Sequence, residues 1–434
     1  NFRSLDVAQL SSGARDLTLI ELGSKGSIDL TEPETGCPVG VLALYETFLR
    51  FKLTNFDEMP LDAKRFHKTY ALNAFRMARA AGRLAKMETF DAVIAHSPQY
   101  SSVGAFCWPF ESRSTRVFFV EGSSGISQRY SHFRLWDWAK YGLDGDKKLT
   151  FRHDPESSGW SPQTREHFRL IELGSSYSVY SPRPSRGIPK EKRNISSESR
   201  VALLSMSSSD EILAARVIGR MSDERVSTAV FADQIDWLSK TIEWFTQHPE
   251  LKLVVRPHPR DFPTRREPAE AQHTARLTKA LQNLPENVEV DWPSNPKPLW
   301  DYFGNVRLLI TGWSSTAMES IYNGTQVLCY DERLLSFPKE IALVSGSQAE
   351  YFEALETAML GTTPVSDFQK SVLSQWVEFS FFESDLAGVP RILERLRKRL
   401  RMLDRLLNGF DVFFPKVHRS LDRRRISRQE AKLA

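Results

Sequence analysis

Short apolar runs alternate with stretches of helical period along most of the chain. Leu17 to Leu22, Ala92 to Ala95 and Val117 to Val120 have the length and composition of buried strands, and Pro60 to Lys86 carries a long helical pattern before the second of them. The later half repeats the alternation more regularly. Val201 to Ser205 reads as a strand, Gln234 to Thr246 as a helix through Ile235, Leu238, Ile242 and Phe245, and Leu251 to Arg256 as a strand. Then follow helix Ala269 to Leu281, strands Val288 to Val290 and Arg307 to Thr311, helix Thr316 to Tyr322 and strand Thr325 to Tyr330. Strands that are apolar throughout, separated by helices, predict parallel sheets covered on both faces.

Punctuation divides this pattern. The polar, proline-rich segment from Tyr180 to Arg193 is a linker candidate, placing one α/β lobe at 1–195 and a second at 196–385. A third region, 386–434, has a different character. Ile392, Leu393, Leu396, Leu400, Leu403 and Leu407 mark one helical stripe, and arginines fill the other faces up to Asn408-Gly409. The last 44 residues carry a net charge of +9 within a chain of 434 residues and net charge +4, so the remainder is slightly acidic. This distribution, without a zinc-finger, RRM or leucine-zipper signature, argues against nucleic acid as a partner. The basic amphipathic tail suits either packing on the body or an anionic membrane surface.

Composition is that of a globular chain, 41% hydrophobic and 26% charged. The three cysteines, Cys37, Cys107 and Cys329, are widely spaced, so no disulfide framework or cysteine metal site is expected and a reducing cytoplasmic setting fits. The longest tidy apolar run, from Val39, breaks at Glu46, far short of a membrane span.

In parallel sheets ligands bind beyond the carboxyl ends of strands. One strand runs into Arg256-Pro257-His258-Pro259-Arg260, where flanking prolines restrict the backbone about an imidazole. Another runs into Thr311-Gly312-Trp313-Ser314-Ser315-Thr316, a Gly/Ser loop entering a helix and suited to a phosphate, although Thr316 and Glu319 also fit a capping box that needs no ligand. Asp233, just ahead of the helix Gln234 to Thr246, fits its N-cap. Asp144 and Asp146 suggest a turn, and no metal site is expected.

The pair of strand-end motifs, about 50 residues apart and followed by Asn323-Gly324, resembles the nucleotide-binding lobe of bacterial GT-B glycosyltransferases of capsule and lipopolysaccharide synthesis. The nearest groups are Kdo transferases, sialyl- and polysialyltransferases and CDP-glycerol polymerases, which share an "HP" and an "SS" motif. The resemblance implies a fold of two Rossmann-like lobes facing a cleft, with no metal or cofactor and a CMP-activated sugar, Kdo first, as donor substrate. Arg256, His258 and Pro259 would then meet the nucleotide, Ser314 and Ser315 its phosphate, and Glu319 the ribose hydroxyls. In the first lobe, the strand ending Glu121-Gly122 resembles the acid-Gly motif that supplies a general base, with one acid where polysialyltransferases have two. His96, Arg129, His132 and Arg134 are weaker acceptor-side candidates, and the pair Arg265-Arg266, with a solvated face as the alternative, would help hold an anionic sugar carboxylate. The acceptor would be an oligosaccharide or a lipid-linked glycan. A retaining enzyme would use Asp233 as nucleophile and Glu121 as acid/base. A UDP-sugar 2-epimerase and a non-catalytic nucleotide-binding assembly subunit are the rival expectations.

Overall fold

The computed structural model describes residues 28–54, 59–122, 133–138, 151–172, 199–219, 230–263, 269–294, 297–332, 335–361 and 363–382. The expected strand at Leu17 to Leu22, the linker at 180–193, Asp144, Asp146, Arg265 and Arg266, and the whole basic tail lie outside them. The α/β class expected from the sequence is borne out.

The first half carries a three-stranded sheet of β1 (Ala92–Ala95), β2 (Arg116–Gly122) and β3 (Phe133–Asp137). β1 and β2 run parallel, in register Ala92 with Arg116, whereas β3 returns antiparallel to β2. The long helix Leu61–Met87 and the helix Ser101–Glu111 pack beside it. An alanine-rich buried face (Ala71, Ala74, Ala78, Ala81) allows the close approach, and Gly82 continues it: a Cβ there would stand 2.5 Å from the methyl carbon of Thr35. Arg79, buried on the same helix, ties that turn down through Glu32 at 3.0 Å.

Glu46 does not interrupt the first apolar run in the expected way. It lies in the helix Leu44–Phe51, 8% exposed, and accepts the backbone N–H and hydroxyl of Ser101 at 2.7 and 2.8 Å, capping the helix that follows β1. A carboxylate at a helix N-terminus satisfies donors that the helix cannot.

The second half builds one parallel sheet from β4 (Val201–Ser205), β5 (Lys252–Arg256), β6 (Val288–Val290), β7 (Leu308–Thr311), β8 (Gln326–Cys329) and β9 (Leu343–Val344). Its spatial order is β6-β5-β4-β7-β8-β9, the doubly wound order in which the chain starts at the centre and reverses direction once. Alternate residues of each strand enter two different cores. Ala202, Leu204, Leu253, Val255, Leu308, Ile310 and Leu328 face the helices Gln234–Thr246 and Gln348–Leu360. Leu203, Val254, Leu309 and Val327 face Thr316–Tyr322, Asp367–Phe381 and the helix Pro162–Glu172. Each fully buried aliphatic side chain contributes about 1.5–3 kcal/mol relative to exposure, which is why these strands read as unbroken apolar runs.

Two helices from the earlier half pack against this second body. Phe168 and Ile171 of Pro162–Glu172 belong to one of its cores. The helix Leu44–Phe51 packs on Ser209–Val217, the helix that follows β4, with Leu44, Tyr45 and Phe48 against Ala214 and Ile218. No helix among the described residues is long and apolar enough to cross a membrane.

Candidate functional site

The chain reverses its winding between β4 and β7, so the carboxyl ends of β4, β5 and β7 come together at the place where such sheets bind ligands. Their register fixes this: Ser205 pairs with Arg256 on one side and with Thr311 on the other. The Thr311 hydroxyl donates to the Ser205 carbonyl at 2.8 Å, and the Met206 N–H to the Arg256 carbonyl at 3.0 Å. Both motifs singled out in the sequence therefore leave the same sheet edge, from the two strands that flank β4.

His258 caps a single 3-10 turn, Pro259–Asp261, its Nδ1 accepting the Arg260 N–H at 3.2 Å. That bond assigns the ring's acceptor role to Nδ1 and leaves Nε2 as the protonated nitrogen of the neutral form. Burial lowers its pKa, reinforced by the Arg260 and Lys52 cations and opposed by Asp261 and Glu211. Arg260 holds the turn from beneath. Its Nε donates to Asp210 at 2.8 Å and its Nη2 to the Leu49 carbonyl at 2.8 Å. Lys52, fully buried, donates to the carbonyls of Phe262 and Ala269 at 3.0 and 2.5 Å.

This lacing corrects one expected element. The helix expected over Ala269 to Leu281 occupies only Thr274–Ala280. The residues before it are drawn to the loop instead, where the Ala271 N–H and the Thr274 hydroxyl donate to the Asp261 carbonyl, both at 2.8 Å.

The capping box expected between Thr316 and Glu319 does not form. Thr316 lies inside the helix, and its N–H and hydroxyl both approach Ser314 Oγ, at 3.3 and 3.0 Å. Glu319 accepts the indole N–H of Trp300 at 2.7 Å. Trp300 outcompetes the helix terminus because it reaches the carboxylate from the 3-10 turn Leu299–Asp301, against the same helix. Ser315, the residue ahead of the helix, is exposed. Gly312 passes beneath Tyr330, whose ring would stand 3.1 Å from a Cβ at that position.

Asp233 is the N-cap of Gln234–Thr246. Its Oδ1 accepts the N–H groups of Ile235 and Asp236, each at 2.8 Å, and its Oδ2 pairs with exposed Arg276 at 2.8 Å. Burial would raise this carboxyl, but those bonds outweigh it and hold the pKa below the usual value. Glu121 lies in β2 opposite Arg134. His96 is exposed just beyond β1, its Nδ1 3.1 Å from the Ser97 hydroxyl. Arg129 and His132 lie outside the described residues. Among the described residues no group of three metal-ligating side chains comes together.

Several residues at these strand ends escaped the sequence reading. Gln234 clamps the segment leaving β4, accepting the Ser207 N–H and donating to its carbonyl, both at 2.8 Å. Asp210, 1% exposed, has its carboxyl pushed up to about 7, chiefly by burial and against the pull of Arg260. Glu319 is likewise raised to about 7 by burial, against Trp300 and Arg256.

A raised carboxyl pKa binds more protons in the folded than in the unfolded protein between its two values, so stability falls as pH rises through that window. For Asp210 and Glu319 the window runs from about 4 to about 7. The expected slope is up to about 1.4 kcal/mol per pH unit for each fully shifted group. Thermal melts should therefore fall between pH 5 and 7 and level off above. Asp210→Asn should flatten that slope; an unchanged slope would remove Asp210 as its source.

No family model and no curated protein matches the chain. Among solved structures, a Thermosulfurimonas dismutans KpsC, titled a beta Kdo 2,4 transferase, aligns at 11% identity over 65% of this chain and 79% of that one, with a TM-score of 0.35. An S. aureus MnaA-UDP co-structure aligns at 10% over 84% and 93%, with a TM-score of 0.32. The UDP-GlcNAc 2-epimerase of Neisseria meningitidis bound to UDP-GlcNAc aligns at 11% over 86% and 98%, with a TM-score of 0.31. Likenesses at this level assign neither an activity nor a residue role to this chain.

Proposed function

We propose that the protein is a metal-independent glycosyltransferase that moves a sugar from a CMP-activated donor, Kdo first, to a growing polysaccharide or lipid-linked glycan. The observation that carries the reading is the convergence of the Arg256–Arg260 and Thr311–Thr316 motifs at the switch point of one doubly wound sheet. His258 offers an Nε2–H to the nucleotide, Ser314 and Ser315 offer hydroxyls to its phosphate, and Glu319 accepts from the ribose once Trp300 yields. Glu121 ends a strand in the other sheet and serves as the acid/base. Asp233 is the nucleophile of a retaining reaction. Its carboxylate oxygen bonds to the anomeric carbon as the bond to the phosphate oxygen breaks and CMP departs with the electron pair. The acceptor hydroxyl then displaces the carboxylate, giving up its proton to Glu121.

The basic tail fits attachment to an anionic cytoplasmic membrane surface beside a lipid-linked acceptor, and such attachment weakens as salt rises. Flotation with anionic vesicles at low but not high salt is the expected result; binding to neutral vesicles alone would remove it.

Incubation with CMP-Kdo, CMP-sialic acid, CDP-glycerol and UDP-GlcNAc tests the donor class. The expected result is CMP release from CMP-Kdo, with His258→Ala weakening nucleotide binding about tenfold while the protein stays folded. Interconversion of UDP-GlcNAc with its 2-epimer would make the protein an epimerase instead. Nucleotide binding without turnover of any donor would make it an assembly subunit.

A further inference from the structure

Lys52 breaks two local rules at once. It closes the helix Leu44–Phe51 in the left-handed conformation, with φ of 49°, where glycine is the ordinary choice. Its side chain is also fully buried, the least expected place for an ammonium group. A strained backbone and a buried charge persist together only where the surrounding structure over-determines them, and such outliers gather at functional sites.

What the residue holds is the segment that leaves β5. Its Nζ donates to the Phe262 and Ala269 carbonyls at 3.0 and 2.5 Å, tying the exit of the His258 turn to Ala269. An ammonium carries three donors, enough to bridge both carbonyls at once. Its neighbours add to the clip. The Gln272 N–H donates to the Lys52 carbonyl at 3.1 Å, the Thr54 N–H to Gln272 Oε1 at 2.9 Å, and Arg260 to the Leu49 carbonyl at 2.8 Å. The clip is itself anchored, because Phe48 and Leu53 are buried in one cluster with Ala214 and Ile218. At the other end of the turn His258 keeps part of its surface exposed. Burial and the Arg260 and Lys52 cations keep its pKa low, against the Asp261 and Glu211 carboxylates.

Resting on the reading of this sheet edge as nucleotide-binding, we propose that residues 49–54 form a positioning strap of the nucleotide site, with Lys52 as the residue that holds His258 in its binding geometry. Lys52 is buried and acts through the turn rather than on the ligand. The strap comes from the first half of the chain and the turn from the second, so the nucleotide half-site is built by both and is not a property of the second sheet alone.

Calorimetric titration of the full chain with CMP tests the strap in a double-mutant cycle. Lys52→Met keeps most of the stem and removes the ammonium. It should weaken CMP binding about tenfold, as His258→Ala does, and the two changes together should cost little more than either alone, because both act through one imidazole. A second readout follows the ring. The imidazole NMR resonance that disappears in His258→Ala should titrate at higher pH in Lys52→Met, since a departed cation and a better solvated turn both favour the protonated ring. Loss of packing elsewhere would produce neither the non-additivity nor the shift. Should Lys52→Met fail to fold, Gln272→Ala, which releases the Thr54 N–H at a partly exposed position, takes its place in the same cycle, with severalfold weaker CMP binding expected. Unchanged CMP affinity, losses that multiply in the double variant, or an unmoved titration in Lys52→Met would overturn the strap while leaving nucleotide binding intact. Absence of CMP binding by wild type would overturn the nucleotide-binding reading itself, and this inference with it.

Discussion

Asp233→Asn should abolish sugar transfer, by roughly a thousandfold or more, while barely changing the melting temperature. The two roles open to this residue separate cleanly because of how it is held. Its Oδ1 caps a helix by accepting two N–H groups, and asparagine caps about as well as aspartate. Its Oδ2 pairs with Arg276 on the surface, where 66% of the arginine side chain is exposed. An ion pair so exposed contributes at most about 1 kcal/mol. Stability therefore changes little, and a nucleophile that has lost its anionic oxygen cannot form the adduct. Mass spectrometry after incubation with donor should find one sugar on the peptide containing Asp233 in wild type and none in the variant. Near-normal turnover by the variant would confine Asp233 to capping and leave Glu121 as base of a single inverting displacement.

Arg260→Ala should destabilise the protein by about 3–5 kcal/mol, read by urea denaturation. The substitution strands Asp210, 1% exposed, without its cation and leaves the Leu49 carbonyl without its donor. Two consequences distinguish this from ordinary loss of packing. Asp210 should become protonated at still higher pH, since burial remains and the arginine's pull is gone. Combining Arg260→Ala with Asp210→Asn should recover a large part of the loss, because the uncompensated charge is then absent. A double variant no more stable than Arg260→Ala alone would mean that the Leu49 contact, rather than the ion pair, carries the effect.

The parts of the fold legible in the sequence were those governed by local pattern. A central parallel strand is buried on both faces, so Val201–Ser205 and Leu308–Thr311 announce themselves as apolar runs. The antiparallel strand Phe133–Asp137 carries no such signal, because its adjacent Leu135 and Trp136 break any alternation of apolar and polar positions. The two strand-end motifs were legible because a strand, a break and a basic or hydroxyl-rich loop follow one another directly. Their supports were not. Asp210 and Arg260 are 50 residues apart, and Trp300 meets Glu319 across 19. Short-range spacing signals neither pair. Thr316 and Glu319 misled for the opposite reason: the local spacing was right for a capping box, and a tertiary partner took the carboxylate.

The contacts that hold the His258 turn also place it late in the order of folding. Those from Lys52 to Phe262 and Ala269, from Thr54 to Gln272 and from Arg260 to Leu49 join residues 210 to 218 positions apart. Closing loops of that length is entropically costly and slow, whereas β4 and β5 pair across far shorter separations. During synthesis residues 49–54 emerge from the ribosome roughly 10–40 s before the loop they hold, at ~5–20 residues per second. β4 and β5 can thus pair while the edge that carries the His258 turn is still unshaped.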